Sequence, residues 1–406
     1  MNASLVRGWC PGARRPMQSG DGLILRLRIT GGRLACETAR AIAAVAKRYG
    51  NGELDLGRRG GLQLRGIRDD DFAAVEAELT ELGLLDVDAG AEAVRNVVAS
   101  PLSDFDETAE GDAFMLAKQL EAALVSDTSL RALPGKFGYS VDDGGCFGLT
   151  EVPADVRLRL VNDGVSVSLD GDIQAIKIQP EEAVAVALRL AHAFLDLASR
   201  IDPPPRRMAA LVAQIGAETI FAASGLVSER VVPVRRPRAV QLIGAFPGHV
   251  GVGLSFGRLD AGQLHLLADL APSDLRLTPF RAVLLPGLPA DLLPRLAEAG
   301  FVTSPDDPIL AVAACPGAPA CGSASIETRG LARRLAALRP NDHGIWLHVS
   351  GCEKGCASSA THAVTLVGRD GGLDLVLDGR PTDPPHRTGV SPEAVEALFR
   401  SGTFEK

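Results

Sequence analysis

"VRLRLVNDGVSVSLDG", residues 156–171, and "AVTLVGRDGGLDLVLDG", residues 363–379, decide how the chain is organised. Each alternates apolar and polar positions on both sides of a glycine-containing turn, and each closes on Asp-Gly, so both read as β-hairpins. Two copies of one supersecondary unit this far apart point to an internal duplication. Working outward, "GGRLACETARAIAAVAKRYGNGELDLGRRGGLQLRGI" (31–67) stands against "FGRLDAGQLHLLADLAPSDLRLTPFRAVLLPGL" (256–288). Each runs from a Gly-Arg-Leu turn through a helical stretch into a strand-like run. The two pairs occur in the same order, which makes a duplicated module the economical reading.

Within the first copy, "GLILRLRIT" (22–30), the 3.6-periodic stretch Cys36 to Tyr49, "LQLRGI" (62–67) and Asp71 to Leu82 alternate strand and helix. That order describes a ferredoxin-like piece with antiparallel pairing. The expected fold class is therefore α+β, a duplicated architecture of two ferredoxin-like half-domains and two mixed α/β domains. The expected division is an N-terminal lead (1–20), a ferredoxin-like half-domain (21–90), a mixed domain (91–200), a linker (201–235), a second half-domain (236–304) and a second mixed domain (305–406). The linker is read from "IDPPPRRM", Ile201 to Met208.

The 406 residues are long enough for several cores. A net charge of -8, from 42 Lys+Arg and 50 Asp+Glu, argues against a broad electrostatic grip on nucleic acid or anionic membrane. An anionic ligand must then be met by a local basic pocket. Arg7, Arg14 and Arg15 precede no apolar run long enough for a signal sequence, and no eighteen apolar residues stand together. The expected protein is cytoplasmic, where seven cysteines serve more often as metal ligands or packed thiols than as disulfides.

Four of those cysteines gather in "CPGAPAC" (Cys315, Cys321) and "CEKGC" (Cys352, Cys356). The first copy has Ser100-Pro101 where the second has Cys315-Pro316, so the cysteine quartet occurs in one half only. Structural zinc favours two short knuckles. The wider C-x5-C gap, followed by C-x3-C, suits ligands wrapped round a larger object such as a cubane iron-sulfur cluster. Small residues beside each ligand leave room for backbone amides to reach the sulfurs. Zinc and four merely packed cysteines remain the alternatives.

The C-x5-C and C-x3-C pair also resembles the sulfite and nitrite reductase family, whose members are built from two such halves. "ILRLRITGG", with Arg26 and Arg28, is similar to that family's "MLRxRxPGG" strand. "LGRRGGLQLRGI" resembles its "TxRQxxQ" segment and sets Arg59 on the motif arginine. "VRNVVASP" resembles "RNV", with Arg95, and "LPGKFGYS" resembles "LPRKFK", with Lys136 on the first lysine. The resemblance implies a 4Fe-4S cluster on Cys315, Cys321, Cys352 and Cys356, the last also bridging to sirohaem in the reductases. It departs at Gly60, where the family has glutamine, and at Gly138, where sulfite reductases have a second lysine that grips the small oxyanion. A pocket that has lost a lysine suits something bulkier. The lead "RGWCPGARRPMQSGDGLILRLRI" resembles a branch of the family that oxygenates a tetrapyrrole in aerobic cobalamin biosynthesis. That branch implies precorrin-3A and O2 as substrates, hydroxylation with lactone formation, an additional non-haem iron, and an external reductase or ferredoxin fed by NAD(P)H. It also implies a monomer. Sirohaem belongs only to the alternative, a nitrite or sulfite reductase.

A polycarboxylate tetrapyrrole calls for charge-assisted, preferably bidentate partners, which arginine supplies best. Arg26, Arg59 and Arg95 are the expected substrate-binding residues and Lys136 the expected catalytic one, in contact with substrate or an oxygen-derived anion. Alternation sends Arg26 and Arg28 to one face of their strand, away from Leu25 and Leu27; Arg28 and Arg65 are weaker candidates. His343, His348 and His362 show no facial-triad spacing and are read as structural. Cys36 is read as packed at a helix start and Cys10 as a pocket residue; Cys146 fits no ligand pattern. Neither "ITGGRL" nor "DDGGCFG" forms a dinucleotide fingerprint. A third reading, an electron carrier or zinc-stapled interaction module, leaves the duplicated frame without a purpose.

Overall fold

The computed structural model describes residues 11–227, 229–230, 242–338, 346–370 and 372–401. His343 and Cys10 lie outside them. The described strands form four sheets. The two hairpins that define the repeat occupy matching places. Val97–Ala99, Tyr139–Asp142 and Val156–Val161 pair in parallel, and Gly164–Leu169 then turns back antiparallel. In the second copy Val312–Ala314, Leu347–Ser350 and His362–Arg369 pair in parallel before Gly372–Gly379 turns back. The duplication is thus carried by strand direction as well as by sequence.

The two ferredoxin-like halves are woven together. Gly22–Leu27, Leu62–Ile67 and Glu53–Leu56 form an antiparallel run whose next neighbour is Arg258–Asp260, a strand of the other half. Reciprocally, Arg33–Ala35 adds to Asp274–Leu277, beside Ala282–Pro286 and His249–Gly253. The helices Cys36–Tyr49 and Ala261–Leu270 pack against each other beneath these sheets. Cys36–Tyr49 buries Ala39, Ile42, Ala43 and Ala46 on one stripe and carries Glu37 in its first turn and Lys47 and Arg48 in its last, favourable to the helix dipole. Asp260 and Gln263 cap the second helix reciprocally. Leu25, Ile42 and Leu64 from one half share a single core with Leu264, Leu275 and Leu285 from the other.

The stretch expected as linker holds two helices, Met208–Ile215 and Ala217–Ala223, whose Met208, Leu211, Ile220 and Phe221 are fully buried in the first mixed domain. Asp155, with no exposed surface, fastens their start by accepting from the Met208 amide at 2.7 Å and from Arg207 Nε at 3.0 Å. No helix among the described residues is long and apolar enough to cross a membrane.

Candidate active site

The strand Gly22–Leu27 has two different faces. Leu23, Leu25 and Leu27 point into the shared core, while Ile24 and Arg26, with Arg28 just beyond the strand, line a cavity of about 580 Å³. Arg59, Lys136 and all four clustered cysteines also line it. Residues from both halves and both mixed domains therefore meet at one place.

Arg26 makes no hydrogen bond or ion pair among the described residues, so its guanidinium is available to a ligand. Arg59 donates from Nη2 to the Lys136 carbonyl at 2.7 Å, which ties the two tips together. Asn96, buried, holds the same turn by donating to the carbonyls of Gly135 (3.2 Å) and Phe137 (2.9 Å). The Lys136 side chain is exposed at the cavity rim. A Cβ on Gly138 would lie 3.1 Å from the Asn96 carbonyl, a tight approach, and 3.6 Å from Arg59 Nη2, in ordinary contact with the arginine.

Arg95 also lines the cavity, but its charge is already matched. Nε and Nη2 meet Asp86 at 2.9–3.1 Å and Nη1 meets Glu121 at 3.0 Å. Burial alone would lower its pKa, yet Glu121 and Asp86 outweigh that and hold it above the usual arginine value. This arrangement makes Arg95 a brace for the Arg28 strand, whose carbonyl it also contacts at 3.3 Å, rather than an open anchor. Arg65 is likewise occupied: it pairs with Asp21 at 2.9 Å and Asp55 at 3.5 Å, and donates to the Ala320 carbonyl at 3.0 Å. Its work is to prop the loop between Cys315 and Cys321. Arg28 bonds Asn96 Oδ1 and leaves its Nε buried without a partner; burial first, then Arg59, Arg26 and Arg95, push it down to about 10 despite Glu92.

The cysteine loops repeat a detail of the copy that lacks the quartet. There the Asp143 amide donates to Ser100 Oγ at 3.0 Å; here the Gly351 amide donates to Cys315 Sγ at 3.2 Å. A Cβ on Gly351 would meet the Ala324 Cβ at 2.5 Å, so only glycine lets that amide come close. Burial, together with the neighbouring Cys321 and Cys315 sulfurs, pushes the Cys352 thiol up. Cys315 is buried, Cys321 and Cys352 are half-buried and Cys356 is exposed, and none of the four is in a disulfide. Soft donors facing one cavity, with an amide aimed at a sulfur, fit an iron-sulfur cluster. Among the described residues no three His, Cys, Asp or Glu side chains are grouped to hold a single metal ion. That leaves the additional non-haem iron without a ligand set among them.

Away from the cavity, Cys36 is buried at its helix start with its thiol directed at the Ala271 carbonyl, 3.5 Å away, and burial raises its pKa. Cys146 is pushed up to about 12 by burial and Asp106. His348 is wholly buried with neither ring nitrogen partnered, and burial, His362 and Arg281 push it down to about 4. His362 Nε2 lies 2.7 Å from Ser358 Oγ, in the turn that follows Cys356. Sequence reasoning missed Phe256, Arg281 and Arg329, cavity residues of the second half. The signal for the first two was present in the repeat: Phe256-Gly257 aligns with Gly31-Gly32, and Arg281 with Gly60.

Residues 15–82 match the nitrite/sulfite reductase ferredoxin-like half domain. Over its length the chain is 33% identical to a precorrin-3B synthase of Sinorhizobium sp, covering 94% of this chain and 85% of that protein. It is 26% identical to a ferredoxin-nitrite reductase of Synechococcus elongatus, covering 97% and 87%. Its fold is similar to that of the NirA protein of Mycobacterium tuberculosis, with a TM-score of 0.74 at 19% identity, covering 93% of this chain and 79% of that one.

Proposed function

The chain belongs to the nitrite and sulfite reductase family, on the branch of precorrin-3B synthase, and from that premise we propose that this oxidoreductase converts precorrin-3A to precorrin-3B in aerobic cobalamin biosynthesis. The observation that carries the reading is the single cavity, in which arginines suited to a polycarboxylate face four cysteines suited to an electron-transfer cluster. In the reaction one atom of O2 is inserted at a meso carbon. The other leaves as water, taking two electrons and two protons from an external donor, and a ring acetate closes a lactone. Cys315, Cys321, Cys352 and Cys356 would hold a 4Fe-4S cluster, which when bound supplies electrons one at a time. Arg26 and Arg59 would bind substrate carboxylates, and Lys136 would keep a cation at the rim for an oxygen-derived anion. Arg95 would position Arg28 and its strand.

That division of labour gives distinct expectations. Arg26→Ala and Arg59→Ala each remove one charge-assisted contact, worth about 1.5 to 3 kcal/mol, and should weaken precorrin-3A binding about ten- to a hundred-fold with little loss of stability. Arg95→Ala takes the arginine from the half-buried Asp86 and leaves the buried Glu121 with Thr30 as its hydrogen-bond donor, and should lower stability instead. Equilibrium binding under anaerobic conditions, paired with urea unfolding, separates the two behaviours. Unchanged binding by both Arg26→Ala and Arg59→Ala would place the pocket elsewhere.

The experiment on the reaction is incubation with precorrin-3A, a reductant and 18-O2. The expected product carries one labelled oxygen, and nitrite and sulfite are not turned over. Label arriving only from water, or brisk nitrite reduction by protein containing sirohaem, would favour the reductase reading, to which the nitrite reductase relatives lend weight.

A further inference from the structure

The cavity has a second cationic end that the motif arginines do not explain. The hairpin tips 57–61 and 278–282 are equivalent, since Leu56 pairs with Leu62 and Leu277 with Val283 around tips of equal length. At the fourth position the first tip has Gly60, with φ 70°, and the second has Arg281, with φ 59°. The left-handed region is a natural place for glycine and an unfavourable one for arginine. A side chain kept there at a backbone cost is a candidate for function.

Arg281 sends its guanidinium into the same cavity as Arg58 and Arg329, and donates from Nη2 to the Ala357 carbonyl at 3.1 Å, immediately after Cys356. Arg329 spends Nη2 on Asp55 at 3.0 Å, while its buried Nε and Nη1 have no partner. Burial, Arg58 and Arg329 together push Arg281 down to about 10, with Asp55 alone opposing them. More guanidinium charge converges here than carboxylate, and buried donors are left open. Buried polar groups seldom stay unpartnered in a working protein, so an anion is the missing component.

We propose that Arg281 and Arg329 form a second-half clamp for one carboxylate of the bound tetrapyrrole, opposite Arg26 and Arg59, setting that edge of the macrocycle beside Cys356. The assignment rests on the tetrapyrrole reading and adds to it which edge of the ligand faces the cysteine loops.

Two variants test the clamp, Arg281→Gly and Arg281→Gln, with anaerobic precorrin-3A as the probe. Glycine relieves the left-handed backbone, so the thermal midpoint of Arg281→Gly should change little while affinity falls about ten- to a hundred-fold. Glutamine can still donate to the Ala357 carbonyl but carries no charge, and should bind as weakly as the glycine variant. Restoration of tight binding by glutamine, or a large fall in thermal midpoint that accounts for the weaker binding, would make Arg281 a loop tether and overturn the clamp. Tight binding by Arg281→Gly overturns it as well. A parent protein that does not bind precorrin-3A at all sinks the tetrapyrrole reading beneath it, a different and distinguishable failure.

Discussion

Asp55→Asn is expected to destabilise the protein by about 3 to 5 kcal/mol, the usual cost of removing one partner from a buried ion pair. Asp55 is 8% exposed and meets three arginines that arrive from different parts of the chain. Arg65 lies in its own hairpin at 3.5 Å, Arg258 in the exchanged strand at 3.0 Å, and Arg329 in the helix that follows the first cysteine loop at 3.0 Å. Asparagine keeps the shape and removes the charge, which takes from Arg329 its carboxylate partner and leaves Arg65 to Asp21 and Arg258 to Glu53. Burial would raise the Asp55 pKa, but Arg329, Arg258 and Arg65 outweigh it and hold the carboxylate below its usual range. The stabilisation it gives is thus complete above about pH 4, the ordinary aspartate value, and is lost as the pH falls through the lower folded-state value. Urea unfolding at neutral and acid pH should show the parent losing its advantage over Asp55→Asn as the pH drops. Equal stability at neutral pH would show that the cluster is compensated by solvent.

If the proposed reaction and cluster hold, Cys321→Ser is expected to abolish the conversion of precorrin-3A and to remove most iron and sulfide from the purified protein. A hydroxyl is a poor ligand for a cluster held by soft thiolates, and the loss of one corner exposes the rest to solvent. The first half should survive, because Cys321 lies outside its core and that copy has Ser100 where the second has Cys315. Iron and sulfide analysis after anaerobic purification, with circular dichroism for the fold, checks both parts. Stoichiometric zinc with little sulfide in the parent would overturn the cluster assignment.

The hairpins at 156–171 and 363–379 made the duplication legible because alternation and an Asp-Gly stop are local properties. So was the character of the Gly22–Leu27 strand, where leucines and arginines take opposite faces. What local pattern cannot encode is the identity of a partner. Arg33–Ala35 is a short strand, and nothing in three residues says that it pairs with Asp274–Leu277. Arg95 read as an anchor because its motif was visible, whereas Asp86 and Glu121, which neutralise it, are brought in by the fold. The helices after the Pro203–Pro205 run were hidden because prolines marked the stretch as a boundary, although "MAALVAQI" is apolar enough to pack. Arg281 escaped notice because a lone arginine in a loop is ordinarily solvated. Only its match to a left-handed glycine distinguishes it.

The exchanged strands also set a timetable for synthesis. The first ferredoxin-like sheet takes its outer strand from Arg258–Asp260, and Arg33–Ala35 must wait for Asp274–Leu277 before its backbone is paired. When the ribosome has made the chain as far as Ala223, neither of these sheets can close, though Val97–Ala99 through Gln174–Ile178 and the two helices that end there already have one another. The first mixed domain is then free to fold while its elder neighbour in the chain still holds open edges, the kind of surface that invites wrong pairing. Contacts of such long sequence separation form late and slowly. A nascent chain stalled before residue 258 should therefore protect the 97–178 region from proteolysis and leave 22–67 open to it, and release of the full chain should close both sheets together.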